Sequence, residues 1–149
     1  MTGSTLPPPR FLYSSDANDN QVDEYTIDPS TGVISPTSQV SAATGSQPGR
    51  VASDQGGFRL YVVNTGSSNL SAYFINRDDG SLQAVPGSPV PVTGYPSAVV
   101  VHPSGDYVYV TVHVSAQESY VYAFAVQSNG SLVSVPGSRS QHNTTRRQL

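Results

Sequence analysis

The chain has no cysteine, only three histidines, and charge on just 11% of its residues. Without thiols there can be no disulfide, no thiolate nucleophile and no cysteine-ligated zinc, and the redox compartment is left open. Three histidines give a buried metal or a nucleophilic triad little to work with, and no Ser-His-Asp signature or glycine-rich phosphate loop is present. No apolar run approaches the roughly 18 residues that a spanning helix needs, so no membrane partner is expected. Residues 1–138 hold four arginines against ten acids, a net −6, and three further arginines in the tail bring the chain to −3. A body of that sign offers no basic patch for nucleic acid. The start, Met1 to Arg10, lacks both the basic segment and the apolar core of a signal peptide, so residues 1–9 are read as a flexible Pro-rich leader and a cytoplasmic location is favoured.

No helical periodicity of any length survives the prolines and glycines. A repeat is present instead. Tyr13, Tyr61 and Tyr109 stand 48 residues apart, each in a short apolar, aromatic-rich run. About ten residues beyond each come 22–27, 70–75 and 121–126, with apolar side chains on mostly alternate positions, the period of a strand. The next column holds Thr31-Gly32, Asp79-Gly80 and Asn129-Gly130, pairs suited to tight turns, each followed by a short fourth strand. Between the hairpins, the runs starting at Pro48 and Pro96 are again 48 apart, and the second is apolar throughout, as a strand covered on both faces should be. One unit is therefore four short antiparallel strands, close to the size of a propeller blade.

The phrase Leu60-Tyr-Val-Val-Asn64, with Ser68 to Ile75, Asp79-Gly-Ser-Leu82 and Val85-Pro-Gly-Ser-Pro89 behind it, resembles the YVTN-type repeat of the lactonase-family β-propellers, which include 6-phosphogluconolactonase-like enzymes and carboxymuconate cyclases. The likeness covers residues 10–138 and is most faithful in the middle copy. It implies an all-β chain, a partial β-propeller of about three four-stranded antiparallel blades, the first lacking its inner strand. Eleven strands are expected, three in the first unit and four in each of the others. Family members are usually seven-bladed, and the polar, basic, patternless run over 139–149 is expected to be a disordered tail where the repeat has been truncated.

In such a fold the loop entering strand one and the loop joining strands two and three share the funnel face. That places Arg50, Tyr95, Asp16, Asn64 and His113 there, and Asp28, Asp54, Asp78 and His102 on the opposite face. What the resemblance implies is hydrolysis of a sugar lactone, with no cofactor and no metal. Lactone hydrolysis needs an activated water, stabilisation of an oxyanion and, for a phosphorylated or carboxylated substrate, a cation. His113 fits the base and Arg50 the anion clamp by type, with Asn64, Tyr95 and Asp16 as further substrate-binding candidates. The family's frequent Pro-His pair at an inner-strand entry is here Pro48-Gly49 and Pro96-Ser97. Asp16-Ala-Asn-Asp-Asn20 alternates oxygen ligands but fails as a calcium loop, since Gln21 and Ile27 stand where glycine and a bidentate glutamate are required. It reads as a polar hairpin turn, and His102 reads as a turn residue.

The alternative is a non-catalytic propeller-repeat module that binds a protein or glycan. Either way, the end blades of an open array leave faces and edges uncovered, so self-association or a partner completing the propeller is expected.

Overall fold

A computed structural model describes residues 10–37, 39 and 41–138, and the backbone alone of 140–143. Fourteen strands and no helix occur among the described residues. They form three antiparallel sheets, one per repeat. Blade one holds β1 (Phe11–Asp16), β2 (Gln21–Ile27), β3 (Ile34–Pro36) and β4 (Ala42–Ala43). Blade two holds β5 (Pro48–Ser53), β6 (Arg59–Asn64), β7 (Asn69–Ile75), β8 (Leu82–Ala84) and β9 (Val90–Pro91). Blade three holds β10 (Tyr95–Val101), β11 (Tyr107–His113), β12 (Glu118–Val126), β13 (Leu132–Ser134) and β14 (Ser140–Asn143). The partial propeller is the expected one, and blade one does begin at its second strand, so β1 packs directly beside the inner strand β5 of the next blade.

The three strands beyond the expected eleven arise because each fourth strand is broken in two. In blade two, β8 pairs with the far end of β7 and β9 with its beginning. The break is the Val85-Pro-Gly-Ser88 segment. Val85 N–H still donates to Ala72 C=O at 3.0 Å, and Pro86-Gly87 then forms a turn in which Gly87 takes φ 79° and Ser88 N–H returns to Val85 C=O. The Ser88 hydroxyl accepts from Ala72 N–H at 2.9 Å, filling the ladder position that the detour empties. Blade three repeats the device with Gly137 at φ 75° and Ser138 Oγ on Ala123 N–H. After it, Ser140–Asn143 pairs with Glu118–Val121. The sequence reading put all of 139–149 in a tail; the backbone of 140–143 instead returns to the sheet, since the β12 edge there is open just as the β7 edge is for β9. Residues 1–9, 139 and 144–149 lie outside the described residues.

Strand alternation gives each blade two faces. The leading face, toward the preceding blade, carries the register pairs Leu12–Tyr25, Leu60–Tyr73 and Val108–Phe124. The trailing face carries Tyr13–Glu24, Tyr61–Ala72 and Tyr109–Ala123. Trailing face meets leading face at two seams. Val22, Leu60, Val62 and Tyr73 form the core of the first seam. Tyr61, Val63, Leu70 and Ala72 meet Val108, Val110, Val112 and Phe124 in the second. At about 25 cal/mol per Å² of apolar area, these seams are what hold one blade to the next.

The hairpin turn of each blade tucks under its predecessor. Gly80, at φ 82°, touches blade one so closely that a Cβ would collide with Phe11 and the Glu24 carboxylate, and Tyr13 Oη donates to its carbonyl at 2.6 Å. Gly130, at φ 83°, is held against Phe74 of blade two in the same way.

Candidate functional site: the funnel rim

The loops entering the inner strands and the loops joining the second and third strands come together at one end of the blades. Pro48 is the register partner of Asn64, and Tyr95 that of His113. Both inner strands are bulged just inside this rim, β5 at Gly49–Arg50 and β10 at Ser97. Bulges of this kind re-aim side chains and recur beside functional sites. Arg50 is exposed on its bulge, and β5 runs beside β10. Interblade hydrogen bonds lock the entries in place: Ser15 Oγ donates to Gly49 C=O at 2.7 Å, Thr65 Oγ1 donates to Pro96 C=O at 2.9 Å, and Gln47 N–H donates to Asn20 Oδ1 at 2.9 Å.

His113 ends β11 in a row with Tyr95 on one side and Ser119 on the other. Its Nδ1 lies 2.8 Å from Ser119 Oγ, which leaves Nε2 unbonded, and the ring is exposed. Tyr95 is 61% exposed, so its ring presents a large apolar surface to solvent at the rim. Arg50, Tyr95 and His113 therefore share the rim with open access.

The other two sequence candidates are engaged within the protein. Asp16 Oδ1 accepts from the backbone N–H groups of Asn18 and Asp19, the local turn that such a residue forms by itself. Asn64 is fully buried; its Nδ2 donates to Asn69 Oδ1 at 2.7 Å and Ser71 Oγ at 2.9 Å, and its Oδ1 accepts from Thr44 Oγ1 at 2.9 Å. From there it holds the blade-two loop to blade one and supports the rim from beneath. Residues at the opposite end serve turns as well: Asp54 accepts from Phe58 and Arg59 N–H, and His102 Nδ1 accepts from Ser104 N–H at 3.1 Å. An open cleft at that end of blade one, lined by Thr26, Asp28, Thr31 and Val33 among others, contains none of the five candidates. No group of three or more His, Asp or Glu that could hold a metal occurs among the described residues. No helix there is long and apolar enough to cross a membrane.

Sequence reasoning missed two groups. Ser119 has no signal apart from its register with His113. Glu24 does have one, because it interrupts a column that is alanine in the other two blades. Its carboxyl group is 8% exposed in the first seam, and Oε1 has no hydrogen-bond partner. Burial, reinforced by Asp79, holds its pKa above the usual carboxylate range. Burial also drives the Tyr13 hydroxyl above the ordinary phenol range, with Glu24 and Asp79 adding to it. Tyr61, whose Oη is buried without a partner, is pushed up to about 12, chiefly by burial.

Comparison with known proteins agrees with the architecture. No curated protein matches the chain. Among solved structures, a 6-phosphogluconolactonase candidate from Bacteroides uniformis aligns with TM-score 0.75 at 16% identity, covering 93% of this chain and 39% of its own. A second such candidate, from Bacteroides fragilis, gives 0.74 at 19% identity over 94% and 40%. The periplasmic gluconolactonase PpgL of Pseudomonas aeruginosa gives 0.67 at 17% identity over 95% and 40%. The chain thus spans about two fifths of the length of these structures, and at such identities they speak for the fold alone. The model of the family described as "Lactonase, 7-bladed beta-propeller" matches residues 6–94, more than half the chain. A 48-residue four-stranded repeat, with its inner strands side by side at one rim, belongs to the lactonase family of seven-bladed β-propellers.

Proposed function

We propose that the funnel rim hydrolyses a sugar lactone, with His113 as the base that activates water and Arg50 as the cation that receives an anionic group of the substrate. The observation that carries this reading is the pairing of His113 Nδ1 with Ser119 Oγ, which orients the ring and reserves Nε2 for a water. Hydroxide formed there adds to the lactone carbonyl, the ring C–O bond breaks, and the departing oxygen takes up the proton, giving the open hydroxy acid. Arg50 is on the bulge of β5, beside the strand that bears Tyr95, so a phosphate or carboxylate held by the guanidinium leaves the lactone ring the Tyr95 surface to rest on. The family assignment supports the substrate class.

The test is hydrolysis of a δ-lactone of a sugar acid, with and without a 6-phosphate, measured against the spontaneous rate. His113→Ala should reduce turnover by roughly 10²-fold or more. Arg50→Ala should act mainly through KM, and only on the phosphorylated substrate. A rate no faster than the spontaneous one rejects the reading.

A second reading, binding of a glycan or protein without turnover, is favoured by a specific observation. Asp16 and Asn64 are both committed to structural hydrogen bonds, so His113 is the one acid–base group of the five candidates left exposed at the rim. Saturable lactone binding without product would select it.

A further inference from the structure

The two seams inside the chain follow one rule. A trailing face built on a tyrosine packs on a leading face built on an aliphatic–aromatic register pair: Tyr13 meets Leu60–Tyr73, and Tyr61 meets Val108–Phe124. The chain displays one more face of each kind. The trailing face of blade three repeats that of blade two position for position. Tyr109 stands for Tyr61, Val121 for Leu70, Ala123 for Ala72 and Val100 for Ala52. In blade two, Tyr61 and Leu70 are 0% exposed, whereas Val121 is 41% and Val100 61% exposed. At the other end, Leu12–Tyr25 repeats Leu60–Tyr73, with Leu12 40% exposed. Isolated exposed aliphatics need no explanation, but a contiguous apolar face with a built complement does.

We propose that this chain associates head to tail with a second copy of itself, the trailing face of blade three in one copy packing on the leading face of blade one in the other. The contact continues the repeat already made twice within each chain, so it requires no new shape and no new chemistry. It is heterologous: Val121 of one copy and Leu12 of the other are different surfaces, and each dimer keeps one face of each kind free. The inference does not depend on the chemistry at the rim.

The geometry prescribes a two-variant experiment on the full chain, read by sedimentation velocity. Wild type should show concentration-dependent association by about 0.1 mM, the range of a modest interface. Leu12→Asp and Val121→Asp each add a charge to one of the two faces, and each variant alone should be monomeric. Mixed in equal amounts they should form a 1:1 heterodimer that grows no further, because each retains the face that the other has lost. Both positions are exposed, so circular dichroism and melting temperature should match wild type. If one variant fails that check, Tyr25→Asp replaces Leu12→Asp and Val100→Asp replaces Val121→Asp. A wild type that stays monomeric at 0.1 mM overturns the proposal. So does a Leu12→Asp protein that still dimerises, which would point to pairing of two trailing faces, or a mixture that remains monomeric.

Discussion

Blade two meets blade three through a cluster of twelve buried residues, all apolar apart from the Tyr61 hydroxyl, while it meets blade one through a smaller apolar core flanked by Glu24, Tyr13 and the Thr44–Asn64–Ser71 hydrogen bonds. The backbone frame is the same in both seams. What differs is whether the residues in a given repeat column were free to be aliphatic. The second seam gains nearly all its strength from area and packing, and the first trades some of that for polar contacts that fix position. Glu24 is the extreme case, since one of its oxygens is buried with nothing to bond.

The largest effect should come from the apolar seam. Leu70→Ala removes a fully buried side chain from its centre and should cost about 2–5 kcal/mol in urea denaturation, unless the void collapses. A loss below 1 kcal/mol would mean that the second seam is not the stronger one. Next come the glycines under the seams. Gly80→Ala meets both a left-handed φ and a collision with blade one, whereas Gly32→Ala, at φ 73°, meets no atom within 4 Å. Gly80→Ala should therefore cost roughly 2–3 kcal/mol and Gly32→Ala about 1 kcal/mol. Equal losses would show that the turn matters and the seam contact does not.

Glu24→Ala installs the residue that the other blades carry and should act in the opposite direction. Removing a buried unpaired oxygen should stabilise the protein at neutral pH by about 1 kcal/mol, net of the space vacated. The pH dependence follows from the raised pKa of Glu24. The folded state holds this proton more tightly than the unfolded chain does, so its contribution is fully present below the unfolded value and is lost as pH rises through the folded one. Melting curves from pH 4 to 8 should show wild type losing stability relative to Glu24→Ala, with parallel profiles excluding a buried ionising Glu24. The smallest effect, about 1 kcal/mol, is expected of Ser88→Ala and Ser138→Ala, each of which strips a strand N–H of its hydroxyl acceptor. Hydrogen exchange at Ala72 and Ala123 should rise only in the matching variant.

Much of this structure was legible in the residues. The 48-residue period announced blades, and alternation in Leu60–Asn64 and Leu70–Ile75 announced strands with two covered faces. The split fourth strand was not legible, because Val85-Pro-Gly-Ser88 looks like any turn until Ser88 Oγ is seen on Ala72 N–H. Nor was Ser140–Asn143, a short polar run whose only reason to extend is an open edge on β12. At the rim, residue type suggested Arg50 and His113 but could not separate the exposed from the buried. Asn64 looked as available as His113, and only the fold encloses it.

The sequence by itself determined the blade, its strand order and the chemistry of each face, since these follow from local periodicity, turn residues and a repeat that can be counted. Only the tertiary structure decided which column is buried against which neighbour, and so which polar groups are supports and which are open to a ligand. Burial is a property of two segments in contact, and no single segment encodes it.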